Sequence, residues 1–179
     1  ATYAQQPIRV QHKPVSIFIE RGEHNQHLNF DFKIANLSSD TLTLTRIGLS
    51  AYTTGGQLFY QHFLDNNGTA PSIEIIPKRE FPGKSTQLIF NPFSDFEPTL
   101  NLVQLNYEFV FTDHSEHEYV IKDTVRPVSY DQQLNFYAPV KGKFLVYDGH
   151  DFHSHHRRFD YEFSVIKELG LNSNFMRYA

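Results

Sequence analysis

Apolar and polar residues alternate with a period of two along most of the first 128 positions, which turns one face of each segment toward a core and the other toward water. Ile8 and Val10, then Val15, Ile17 and Ile19, follow this period with Pro14 interrupting, so Pro7 to Glu20 reads as an edge strand that breaks and resumes. Leu28, Phe30, Phe32 and Ile34 alternate with Asn29, Asp31 and Lys33 and predict the cleanest strand. Leu42 and Leu44 give way to Ile47 and Leu49 across a phase shift near Arg46, as a β-bulge would produce. Gly55-Gly56 is a hairpin signal between Ala51-Tyr52 and Leu58-Phe59-Tyr60. Ser72 to Ile76 reads as a short apolar strand closed by Pro77. Phe81 to Lys84 is a turn, Gln87 to Phe90 a strand, and Pro92 to Pro98 a loop that exposes Phe93 and Phe96. Leu100 to Thr112 is the longest strand predicted, turned back at Asp113 to Glu116 into Tyr119 to Val128.

Roughly eight or nine short strands with no amphipathic helix before position 160 predict an all-β domain, an immunoglobulin-like Greek-key β-sandwich. The chain has 17 Phe and 10 Tyr but no Trp, so that likeness rests on strand pattern and not on a buried strand-C tryptophan. With 179 residues there is room for one good core and an appendage. The sandwich is placed at 7–128, a polar linker at 129–142, and a separate piece at 143–179. In that piece Phe144 to Tyr147 reads as a last strand, and Phe163 to Leu169 as two helical turns ended by Gly170.

The net charge of −4, with basic residues scattered apart from Arg157-Arg158, is no nucleic-acid footprint. The absence of cysteine removes disulfides and thiolate metal sites. No apolar run is long enough to span a bilayer. The opening ATYAQQP looks like the product of signal-peptide cleavage, which predicts an exported protein, periplasmic or extracellular.

Candidate chemistry concentrates in Tyr147 to Tyr161, YDGHDFHSHHRRFDY, which holds four of the ten histidines and three aspartates. Imidazole is the commonest side-chain ligand for zinc, and a carboxylate can complete a tetrahedral site. His153 and His155 share one side if the segment is extended, and His156 and Asp160, four apart, come together if it turns helically and otherwise only by chain reversal; neither spacing alone is diagnostic of metal. A lone His-x-His is more often an incidental metal binder in a polar loop. The density of His and Asp here, beside an arginine pair and flanked by aromatics, predicts a built site. Arg157 and Arg158 could clamp an anion, but pairing with Asp148, Asp151 or Asp160 is the more economical reading. Asp148 and Asp151 read as solvated turn carboxylates, and His24, His27, His114 and His117 as exposed turn residues.

The run LNFYAPVKGKFLVYDGHDFHSHHRRFDYEF, with NFMRYA at the end, resembles the start of the catalytic domain of lysostaphin-type (LytM-like) zinc metallopeptidases. In that family a Pro-x-x-Gly turn leads to a first histidine ligand, an aspartate ligand follows, and a later His-x-His supplies the third ligand and a catalytic histidine. The resemblance implies zinc as cofactor and peptidoglycan as substrate. It also implies His156 and Asp160 as ligands, His155 as the alternative first ligand, and a β-rich accessory region upstream. No histidine follows Asp160, so the later His-x-His is missing, and His153-Ser154-His155 lies upstream of where it is needed. On this reading the chain is a fragment or processed form: an accessory sandwich plus the first piece of a peptidase domain, without endopeptidase activity. The competing class is a protein- or glycan-binding module of the cell envelope, with Phe93 and Phe96 as contact surface and the histidine run as a metal-binding tail.

Overall fold

Twelve strands and one short helix carry the fold of the computed structural model, which describes residues 6–69, 71–130, 133, 135, 137, 139–145 and 160–170. One antiparallel sheet has the order β1 (Ile8–Lys13), β4 (Asp31–Asn36), β8 (Thr86–Phe90). The second has the order β11 (Glu118–Val125), β10 (Gln104–Thr112), β5 (Leu42–Tyr52), β6 (Leu58–Asp65), with β7 (Glu80–Phe81) also paired to β5. A smaller sheet joins β12 (Val128–Ser129), β2 (Phe18–Arg21), β3 (Gln26–Leu28) and β9 (Asp95–Phe96); its β12–β2 pair is parallel. The first two sheets face each other across one core, which makes the domain an all-β sandwich with the strand order of an immunoglobulin-like fold.

Without tryptophan, phenylalanines and tyrosines join the sheets. Phe32 on β4 meets Tyr107 and Phe109 on β10 edge to face, with ring centres 4.8 Å apart in both pairs, and Phe30 approaches Tyr107 at 5.8 Å. Each such pair adds roughly 0.5–1.5 kcal/mol beyond the area it buries. Tyr107 is fully buried, so its hydroxyl needs a partner, and it donates to Asn91 Oδ1 at 3.2 Å. Along the open side of the core, His12 on β1 pairs with Asp123 on β11 at 2.8 Å.

Most of the predicted strands form, and the departures have local causes. The edge strand breaks at Pro14 and resumes in a different sheet. The phase shift near Arg46 is a bulge: Val110 pairs with Arg46 and Phe111 with Leu44, so Thr45 is skipped, and its hydroxyl donates to the Val110 carbonyl at 3.2 Å. Leu28 to Ile34 is two strands rather than one. The chain changes sheets at Asn29-Phe30, where the Leu28 amide donates to Ser94 and the Phe30 carbonyl accepts from Asn91. All four apolar side chains nevertheless stay buried, because both strands face the same core.

Ser72 to Ile76 is a 3₁₀ turn over Ile73–Ile75 instead of a strand. Its Ser72 hydroxyl accepts from the Glu74 amide, and Ile73 and Ile76, three apart, share the buried side while Ile75 faces water. The longest strand is β5, not the one ending at Thr112. In the Phe81–Lys84 turn a Cβ on Gly83 would lie 2.1 Å from the Ser39 carbonyl oxygen, so glycine is required by close approach. Phe144 and Leu145 are exposed and belong to no strand, and Tyr147, the end of that predicted strand, lies outside the described residues. The predicted helix is present as α1 (Ser164–Glu168), and Gly170 follows it at φ 70° in the left-handed cap conformation. Among the described residues no helix is long and apolar enough to cross a membrane.

Candidate functional site

Of the residues singled out around the histidine run, His153, His155, His156, Arg157 and Arg158 lie outside the described residues. Asp160 is described, and it is anchored to the sandwich. Its Oδ2 accepts from Lys78 Nζ at 3.1 Å and its Oδ1 from the Glu162 amide at 3.0 Å. Lys78 follows Pro77, which stops the 3₁₀ segment and turns the lysine out toward the C-terminal piece. The same ammonium lies 5.4 Å from the centre of the Phe163 ring, within cation–π range.

Two residues further on, Glu162 makes the tighter attachment. Its side chain is only 6% exposed and is held at 2.5 Å by Lys33, the outward residue of central strand β4, and at 2.5 Å by Lys167 of α1. Burial pushes the Glu162 carboxyl up, but the hydrogen bonds from Lys167 and Lys33, with their positive charges, outweigh it and hold the group below the usual range. A buried carboxylate between two lysines thus ties the helix to the β1–β4–β8 sheet.

Between this anchor and the sandwich lies a cavity of about 420 Å³, lined by Ile75, Ile76, Lys78, Leu88, Phe90 and Asp160 among others. Its walls are mainly apolar, and the Lys78–Asp160 pair sits at its rim. Among the described residues no group of three or more His, Asp or Glu is placed to hold a metal. The chemistry of the wider donor set, imidazoles plus one carboxylate, suits zinc. Asp160 can take part only by sharing with Lys78 or releasing it, since an ammonium already occupies one lone pair of Oδ2.

The expectation that Phe93 and Phe96 form an exposed surface is overturned: they are 5% and 4% exposed. Phe93 lies against His62 and Tyr107, with ring centres at 5.3 and 6.3 Å, and Phe96 meets Tyr60 at 5.7 Å. Asn91 folds the loop inward by exchanging hydrogen bonds with Phe93, its Nδ2 donating to the Phe93 carbonyl and its Oδ1 accepting the Phe93 amide. His27 is likewise not an exposed turn residue: its side chain is 14% exposed and lies 2.7 Å from Asp95. His24 and His117 are exposed as expected. Sequence reading missed Lys33, Lys78 and Glu162. The one available signal was Lys33, a cation on the outer face of a strand otherwise fit for the centre of a sheet.

No protein-family model matches the chain, and no curated protein does. Among solved structures the chain is similar to "X-ray structure of Northeast Structural Genomics Consortium target SoR45", with 12% identity and a TM-score of 0.46 over 76% of this chain and 97% of that one. A likeness at that level leaves function to the residues themselves.

Proposed function

We propose that the chain is the accessory region and first metal-site portion of a lysostaphin-type zinc peptidoglycan endopeptidase, exported, and inactive as these 179 residues. The observation that carries the reading is the anchored Asp160: the residue that closes the His-x-x-x-Asp spacing is held on the sandwich by Lys78, and Glu162 beside it by Lys33. In this reading His155, His156 and Asp160 hold zinc, with His153 beside them, and zinc when bound supplies carbonyl polarisation and an acidified water. Arg157 and Arg158 follow His156 in sequence and, as guanidinium groups, are suited to an anionic group of the wall.

Isothermal titration of zinc into the chain tests this. Saturation at one equivalent is expected, with at least a tenfold loss in a His155→Ala/His156→Ala variant. Absence of binding by the wild type removes the metal reading, and chelator-sensitive cleavage of a peptidoglycan cross-bridge by the chain alone removes the claim of inactivity. A second reading, an envelope module that binds glycan or protein, is favoured by a concave surface around Tyr60, where an aromatic ring lies beside two carboxylates.

A further inference from the structure

That surface is a depression of about 450 Å³ lined by His24, Asn25, Tyr60, Asp95, Glu97 and Leu100, with Phe96 in its wall. Its size falls within the ~300–1,000 Å³ typical of small-ligand pockets. The aromatic floor is held in place, since Tyr60 contacts the buried Phe96 ring and its hydroxyl lies 3.3 Å from His62 Nδ1. The acidic wall is held as well. Asp95 Oδ1 lies 2.7 Å from His27 Nδ1 and accepts from Asn25 Nδ2 at 3.2 Å, so Oδ2 keeps its accepting capacity.

The loop carrying Glu97 is fastened from behind by Gln26, which is 1% exposed. Its amide donates to the carbonyls of Glu97 and Leu100, both at 2.7 Å, and its Oε1 has no hydrogen-bond partner. A buried amide used to fix an exposed carboxylate loop is costly unless the loop geometry matters. The result is a rigid, half-apolar ring beside two carboxylates and an amide.

We propose that this depression is a saccharide-binding site, in which the face of a sugar ring packs on Tyr60 while adjacent hydroxyls donate to Asp95 Oδ2 and Glu97 and accept from Asn25. Hydroxyl groups suit these acceptors because each donates one hydrogen bond and needs no charge neutralised. A cationic ligand fits less well, since His27 and Asn25 already engage the Asp95 carboxylate and His24 stands at the rim. The site is independent of the zinc reading: the His155→Ala/His156→Ala variant keeps it.

The test is titration of the full chain with tri-N-acetylchitotriose, followed by amide NMR, with a trilysine peptide as the contrasting ligand. Saturable shifts at Tyr60, Asp95 and Glu97 are expected, with a dissociation constant of about 0.1–1 mM for so small and open a contact. Tyr60→Ala should weaken binding roughly tenfold and Glu97→Gln about threefold or more, while Lys78→Met leaves it unchanged. Glu97 is exposed, so its variant keeps the test decisive if Tyr60→Ala disturbs β6. No saturable shift up to about 10 mM, equal affinity in both pocket variants, or capture of trilysine in preference to the saccharide overturns the proposal.

Discussion

The sandwich and the C-terminal piece are held together by different physics. Between the sheets, Phe32, Tyr107 and Phe109 interlock at full burial, and the Tyr107 hydroxyl that enters with them is provided with a partner in Asn91. Residues 160–170 have no buried side chain in α1 and attach through Asp160 and Glu162 to lysines that remain 37–53% exposed. Burial of aromatic area is not screened by salt and involves no charge, whereas ion pairs with exposed partners are modest and screened. The difference teaches that aromatic burial joins the two sheets, whereas the segment bearing Asp160 is attached to them through ion pairs.

The contrast breaks most visibly in the core. Phe109→Ala should cost about 3–5 kcal/mol and lower the midpoint of global denaturation; a change under about 1 kcal/mol would mean that the two sheets are joined elsewhere. Gly83→Ala should follow at roughly 1–3 kcal/mol, because the new methyl group meets the Ser39 backbone and must displace it. Denaturant titration measures both.

Substitutions at the anchor should act locally. Glu162→Gln is expected to loosen the α1 attachment by about 1 kcal/mol, read as faster amide exchange at Val165 to Glu168 with the global midpoint unchanged. Acid should do the same. The folded Glu162 carboxyl lies below its unfolded value, so its contribution is complete above about pH 4.3 and is lost as pH falls through the lowered folded value. Protection of α1 amides, taken relative to the intrinsic exchange rate at each pH, should therefore fall below about pH 4 before β10 loses protection. Uniform protection of both regions across that range would show that the anchor does not depend on charge. Smallest of all, Gly170→Ala should cost about 1 kcal/mol or less, because a side chain is strained at φ 70° but only at the end of a short exposed helix.

Period-two alternation was enough to read the strands of the sandwich and the bulge at Thr45, since both are local consequences of which side chains face the core. The Leu28–Ile34 segment shows the limit: unbroken alternation kept all four side chains inside but could not reveal that the backbone changes sheets at Asn29-Phe30. Ser72 to Ile76 carries both a strand-like apolar run and a three-residue spacing, and the Ser72 cap decided for the 3₁₀ turn. Phe93 and Phe96 looked exposed among prolines and charges because the rings they pack against, His62, Tyr107 and Tyr60, lie on other strands, and the neighbouring Asn91 folds the loop inward only where that core can receive it. The candidate metal site was legible as a cluster of letters, with Asp160 among them. Its anchoring was not, because Lys33 and Lys78 are far from Asp160 and Glu162 in sequence and meet them only once the sheets are folded.

The central functional claim, that the histidine run and Asp160 form the start of a zinc site carried by the sandwich, is tested most directly by titrating zinc into the full chain and following every amide by NMR. One equivalent should move resonances of His153, His155, His156 and Asp160 and of Lys78 beside Asp160, while those of Phe109 and its neighbours on β10 stay fixed. Absence of shifts at one equivalent, or shifts centred on His24, His114 and His117 instead, would contradict it.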